Sequence, residues 1–296
     1  MNSPWNLKPQ TPIPAEPVKS ELNRVIFEDT DLPNIIELKN ISMTYDEGKS
    51  YIIKDLNFLI EDKPNQSQFI VLLGVSGSGK STVLRFVCGL QKPTSGEVLI
   101  HEKPRDDSTR IGMVFQQYSS FPWLSVLDNV ALGLKYKGVS KKDRYEKAME
   151  MIKLVGLDGQ EKKYAQYPHL SGGQLQRVAL ARSLVSNPQI LLFDEPHGAL
   201  DTKTRNSMQL LIANLWTKMG TGDRDLTALF VTHDIPEAVF LADEIWIMRA
   251  RPGTIVERII VDLPLERDAS IKRTPKFTEL VYMIEDKIKQ LGDLSS

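Results

Sequence analysis

Residues 68–90 read QFIVLLGVSGSGKSTVLRFVCGL: an apolar run of strand length, a glycine-rich turn, then a helix-like stretch. A continuous apolar run marks a strand buried on both faces, as in a parallel sheet covered by helices. Gly74 to Ser81, GVSGSGKS, fits the phosphate-loop spacing, in which glycines let backbone N–H groups approach phosphate oxygens. The nucleotide-contacting set is therefore expected to include Gly74, Ser76, Gly77, Ser78, Gly79, Lys80, Ser81 and Thr82. In this reading Lys80 reaches the β- and γ-phosphates as a point charge, and the Ser81 hydroxyl is a magnesium ligand.

Working outward, strands are expected at 97–101, 110–115, 189–194, 227–231 and 244–248, with helical patterns between several of them. Such alternation implies an α/β fold, a P-loop NTPase core with a mainly parallel sheet. Two alternating stretches, IIELKNISMTY and SYIIKDLNFLI, read as an antiparallel β edge subdomain. Residues 126–155 read as helical with a break at Gly138 and Ser140, within a helical subdomain spanning about 117–187. TIVERIIVDLP after Pro252–Gly253 reads as one more strand. The cassette thus spans 35–265, followed by a C-terminal linker and helix over 266–296 and preceded by a flexible proline-rich extension over 1–34.

Composition narrows the function. The 296 residues carry 37 basic and 38 acidic side chains, so no overall field exists to hold a polyanion, and nucleic acid is not an expected partner. The single cysteine, Cys88, forms no intramolecular disulfide, fits a reducing compartment and is expected to pack in the core. No apolar run reaches the length of about 18 residues that a membrane-spanning helix needs.

Two further segments carry chemistry. ILLFDEP (190–196) is a buried-strand pattern with Asp194 and Glu195 at its end, where ligands meet parallel sheets. Asp194 suits magnesium, and Glu195 suits a general base polarising the attacking water. LSGGQ (170–174) places a capping serine and two glycines before the helical QLQRVALARSLV, an arrangement that receives anions.

GVSGSGKS, Gln116, LSGGQ, ILLFDEP, Ala199–Leu200–Asp201 and His233, in that order, resemble the ABC ATPase family from about Ile35 to Met248. FPWLSVLDNVALGL (121–134), FVTHDIPEAVFLADEIWIM (230–248) and RPGTIVERIIVDLP (251–264) are most similar, within it, to importer cassettes for nitrate, sulfonate and taurine. The resemblance implies ATP and Mg2+ as cofactors. It also implies Gln116 at magnesium and water, His233 at the γ-phosphate and Asp201 in communication across a dimer. For Tyr45 it implies stacking on adenine, the alternative being a strand aromatic packed on its sheet. It further implies a head-to-tail dimer in which Ser171, Gly172, Gly173 and Gln174 grip the other subunit's nucleotide. The expected partners are transmembrane permease subunits and, indirectly, a periplasmic or extracellular solute-binding protein, at the cytoplasmic face of the membrane. Tyr118, Phe121, Pro122 and Trp123 read either as the permease groove or as subdomain core.

One residue departs from the pattern. These importers usually have phenylalanine before Gly-Ala-Leu-Asp, and this chain has His197, expected as an exposed replacement or, alternatively, a pH-sensitive interface contact. His101 and His169 read as solvated. A chromosome-maintenance ATPase would place coiled-coil arms between the phosphate loop and LSGGQ, where only about ninety residues lie. A translation-associated cassette protein would carry two cassettes, and LSGGQ has no role in a small-molecule kinase or GTPase.

Overall fold

The computed structural model describes residues 18–19, 25–26, 32–63, 66–106, 109–117, 119–198, 200–219 and 226–293. Strands β1 (Val18–Lys19) and β2 (Val25–Ile26) form a two-residue antiparallel ladder. The rest of the expected extension up to residue 31 lies outside the described residues.

The alternating stretches become β3 (Asn34–Met43) and β4 (Ile53–Glu61), in an antiparallel sheet of order β4-β3-β6-β7 with β6 (Ser95–Ile100) and β7 (Lys103–Pro104). The strand expected at 97–101 thus joins this sheet and not the parallel one. Gly96 makes that pairing possible: its φ is 94°, and a Cβ there would stand 2.5 Å from the carbonyl oxygens of Lys39 and Asn40.

The main sheet runs β12-β11-β5-β10-β9-β8, from β5 (Gln68–Gly74), β8 (Ile111–Val114), β9 (Ile190–Asp194), β10 (Thr227–Thr232), β11 (Glu244–Arg249) and β12 (Thr254–Ile260). Five strands are parallel, and β12 returns antiparallel to β11. The two-residue period of a strand divides the core. Phe69, Val71, Leu73, Leu191, Phe193, Ala228 and Phe230 face one apolar cluster, built with α4 (Gly172–Leu184), α5 (Thr202–Met219) and α6 (Ile235–Leu241). Ile70, Leu72, Ile190, Leu192, Leu229 and Val231 face a second cluster, shared with α1 (Lys80–Cys88) and the antiparallel sheet. Helix α1 is therefore held between the two sheets, and burial on both sides explains the unbroken apolar runs. Phe69, Phe193 and Phe230 meet with centroids 5.5–6.2 Å apart, each pair adding about 0.5–1.5 kcal/mol beyond its area burial.

Helices α2 (Val126–Tyr136) and α3 (Lys141–Leu154) pack on α4 through Val130, Leu134, Ala148 and Ile152. Ser125 and Ser140 cap them by accepting from the Asp128 and Asp143 N–H groups, and Gly138 at φ 74° makes the break between them. A 3-10 helix (Ala269–Arg273) leads into α7 (Pro275–Asp293), which packs against α6. Cys88 is half-buried against the second cluster. Among the described residues no helix is long and apolar enough to cross a membrane.

Candidate functional site

Register sets the site. Val231 lies beside Asp194 and Thr232 beside Leu73, so the chain leaves β5, β9 and β10 at one end of the sheet with the glycine loop, Glu195 and His233 side by side.

The loop is shaped by its glycines. Gly77 and Gly79 have φ of 80° and 97°, and Gly79 caps α1 with no side-chain acceptor, so the free N–H groups of the first turn remain available to an anion. A Cβ on Gly74 would stand 2.4 Å from the Met248 carbonyl oxygen, so the backbones approach more closely than any side chain permits. Buried Lys80 donates to the Gly74 and Val75 carbonyl oxygens at 2.8 and 3.0 Å, and its ammonium is 3.7 Å from Glu195 Oε1. Burial lowers the Lys80 pKa, and Glu195 and Asp194 oppose that shift, which leaves a partly desolvated cation suited to phosphate charge. Ser76 and Gly77 are exposed at the loop tip, Ser78 is buried beneath it, and Thr82 is half-buried on α1.

The Ser81 hydroxyl donates to Asp194 Oδ1 at 2.7 Å, which brings two of the expected magnesium ligands together across α1 and β9. Gln116 follows β8 and its amide lies beside the turn after Glu195: a Cβ on Gly198 would stand 3.2 Å from its Nε2. A hydroxyl, a carboxylate and an amide oxygen are hard donors, the set that magnesium prefers. Glu195 adopts φ 41°, and its N–H donates to the Val231 carbonyl at 3.2 Å. That left-handed turn separates its direction from that of Asp194 and sets Oε2 3.2 Å from His233 Nδ1. Lys80, Ser81, Asp194, Glu195 and His233 therefore form one constellation, with Gln116 beside it.

Other expected residues have contacts elsewhere in the same chain. Ser171 caps α4, accepting from the Gln174 N–H at 3.3 Å while Gln174 Oε1 accepts from the Ser171 N–H at 2.9 Å. Gly172 starts that helix, and Gly173 lies so close to α5 that a Cβ would stand 2.3 Å from Thr204 Cγ2. Asp201 accepts from Lys203 N, Thr204 N and Thr204 Oγ1, and these hydrogen bonds, that of the Thr204 hydroxyl first, hold its pKa down. Tyr45 is 68% exposed, with its hydroxyl accepting from Gln91 Nε2 at 2.7 Å. Phe121, Pro122 and Trp123 are exposed, Trp123 at 68%, which removes the core reading for them. Tyr118 lies outside the described residues.

The expectation of an exposed His197 is overturned: the side chain is 2% exposed and sits 2.6 Å from Glu237 Oε1. The polypeptide turns inward after Glu195, and a buried carboxylate on α6 receives the ring. Glu237 also accepts from Gln209 Nε2 at 2.9 Å and Thr232 Oγ1 at 2.6 Å. Sequence reading missed Glu237 because Asp234 and Glu237 have the spacing of a helix cap, and Asp234 Oδ1 does accept from the Glu237 N–H at 2.9 Å. The only available signal was that a second polar residue, His197, had entered the same site. His101 and His169 are exposed, as expected.

Comparison with known proteins gives the family. The family model for the ABC transporter domain matches residues 53–198. The nitrate import ATP-binding protein NrtD of Synechocystis sp. is 37% identical, covering 92% of this chain and 93% of its own. The taurine import ATP-binding protein TauB of Rhizobium johnstonii is 42% identical, covering 77% and 87%. Among solved structures, the dimeric bacterial ABC transporter cassette MJ0796 is 36% identical with a TM-score of 0.64, covering 77% of this chain and all of its own. A post-hydrolysis state of that cassette with ADP and Pi is 35% identical, with a TM-score of 0.63 over the same shares. A phosphate loop, a strand-end carboxylate pair and a histidine in one constellation, in a chain with these relatives, have one identity: the chain belongs to the ABC transporter ATP-binding family and is an ATP-hydrolysing cassette.

Proposed function

We propose that this cassette powers import of a small solute of the nitrate, sulfonate or taurine kind through a partner permease. It works as a head-to-tail pair at the cytoplasmic face of the membrane, with a periplasmic or extracellular solute-binding protein delivering the solute to the permease. The supporting observation is the Lys80–Glu195–His233 constellation beside Ser81–Asp194. The nitrate and taurine import relatives, similar over most of their length, support the cargo class.

In this reading each copy binds a triphosphate with its own loop. The α1 N–H groups and Lys80 hold the phosphates, and Tyr45, exposed beside Gln91, stacks on the base. Ser81, Asp194 and Gln116 would hold a magnesium ion, which when bound would supply charge neutralisation for the phosphates. Glu195 takes the proton of the attacking water, while His233, 3.2 Å from Glu195 Oε2, stands beside that carboxylate and faces the γ-phosphate. The N-terminus of α4, presented by Ser171 and Gly173, closes on the nucleotide of the other copy, and Asp201 lies at the start of α5 between the two sites. Loss of the γ-phosphate removes the bridge, and the pair opens. Residues 35–265 form the cassette, 117–187 the helical subdomain that carries the motion to the permease, and 266–296 the closing linker and helix.

Replacing Glu195 with Gln keeps the shape and removes the base. Turnover is expected to fall by about 10²–10⁴-fold while Mg-ATP still binds and holds a stable dimer, read by phosphate release and light scattering. Retained turnover would remove Glu195 from this role. Copurification with a permease, followed by ATP-dependent uptake of nitrate against taurine in vesicles, tests cargo and direction; ATP-driven efflux would refute import.

A further inference from the structure

Glu237 is a buried carboxylate on α6 whose two oxygens receive three side-chain donors from three different elements. His197 Nδ1 comes from the turn two residues after Glu195, Thr232 Oγ1 from the residue before His233, and Gln209 Nε2 from α5. The acceptor is ionised: burial alone would raise the Glu237 pKa, and the hydrogen bonds and charge of His197, Thr232 and Gln209 outweigh it and hold it low. A carboxylate only accepts, so the His197 nitrogen facing it carries a proton. Thr232 Oγ1 in turn accepts from the Asp234 N–H at 3.0 Å, so the hub also braces the turn around His233.

We propose that Glu237 and His197 are positioning residues for ATP hydrolysis, a buried hub that sets Glu195 against His233 across two separate strand ends. Glu195 and His233 both line a small cavity of about 60 Å³ that His197, Thr232 and Glu237 also line. Neither reacting side chain fixes the other, because their contact of 3.2 Å joins an exposed imidazole to a carboxylate in a left-handed turn. The Glu195 turn is closed on itself by Gly198 N donating to Glu195 O at 3.1 Å, and it is tied to α6 through His197. The three side-chain hydrogen bonds to Glu237 involve no residue of the phosphate loop, whose shape depends on Gly74, Gly77 and Gly79. Nucleotide binding and nucleotide cleavage are therefore separable: disturbing the hub moves the base and the histidine without moving Lys80 or Ser81. The inference rests on Glu195 being the general base.

The test measures kcat, KM for ATP, Mg-ATP affinity and thermal midpoint for full-length His197→Phe, His197→Asn, Glu237→Gln and Glu195→Gln. Displacement of a reacting group by a fraction of an ångström is expected to lower kcat about tenfold or more in His197→Phe and Glu237→Gln, with ATP affinity within twofold. Asparagine offers a donor near the place of Nδ1, and His197→Asn is expected to retain kcat within about threefold. If kcat of folded His197→Phe stays within twofold of the unaltered chain, the hub does not position the base. If kcat, ATP affinity and thermal midpoint fall together in His197→Phe and His197→Asn alike, the pair is structural only. Glu195→Gln separates the two ideas, since full turnover there defeats the catalytic assignment itself, whereas its loss beside unaffected hub variants defeats the hub alone.

Discussion

The closest backbone approach at the nucleotide loop predicts the effect of a single methyl group. Gly253, in the turn before β12, is buried with its N–H donating to Ile52 O at 2.7 Å and its carbonyl accepting from Lys54 N at 3.2 Å. A Cβ built there would stand 2.2 Å from the Ser78 carbonyl oxygen and 3.0 Å from Ile52 O, whereas ordinary contact begins at 3.4 Å. The Met248 methyl, 2.7 Å away, can turn aside, but the two carbonyl oxygens are backbone atoms and Gly253 is pinned by two hydrogen bonds, so the relief comes from moving the phosphate loop by about 1 Å. A displacement of that size at a binding site costs about 10²-fold in kcat/KM. Overpacking of this kind also costs about 1–3 kcal/mol of stability. At roughly 2–4 °C per kcal/mol for a chain of this class, the thermal midpoint falls by several degrees. The measurements are Mg-ATP titration calorimetry, phosphate release and thermal denaturation of Gly253→Ala. Gly159→Ala is the control: its φ is 79° but nothing lies within 4 Å of the added Cβ, so it costs about 1 kcal/mol of backbone strain and leaves ATP binding alone. Gly253→Ala binding and cleaving ATP within twofold of the unaltered chain would show that the loop does not depend on this approach.

Two other expectations use different parts of the molecule. Glu244 is buried, which raises its pKa, but a bidentate pair with Arg258 at 2.8 and 2.9 Å and Lys63 at 2.6 Å outweigh burial and hold it below the usual 4.5. Its folded pKa lies below its unfolded one, so the stabilisation is complete above about pH 4.5 and lost as pH falls through the folded value. Arg258→Met is therefore expected to cost about 3 kcal/mol at neutral pH, with the difference in thermal midpoint shrinking below pH 4.5; a constant difference at all pH would exclude this origin. Trp123 is exposed and its ring meets Phe121 with centroids 5.4 Å apart, so Trp123→Asp is expected to change stability by less than about 0.5 kcal/mol. ATPase activity in solution persists and copurification with the permease is lost; loss of ATPase activity as well would mean that Trp123 supports the fold.

What the amino-acid order determines here is local. The apolar run before GVSGSGKS, the acidic pair closing ILLFDEP and the serine-glycine start of α4 each specify a strand end or helix start through a few consecutive residues. Their physical causes, namely burial on both faces, positive-φ glycines and side-chain capping, act within one turn or one strand. Tertiary structure alone decided three things. It sent residues 95–100 to the antiparallel sheet through the Gly96 approach to Asn40. It exposed Trp123, whose apolar character suits a core and a docking surface equally. It drew His197 and Glu237, forty positions apart, into one buried pair, although the first read as surface and the second was not singled out at all. Polar residues announce solvent or a cap when read along the chain, and only the arrival of distant donors makes their burial affordable.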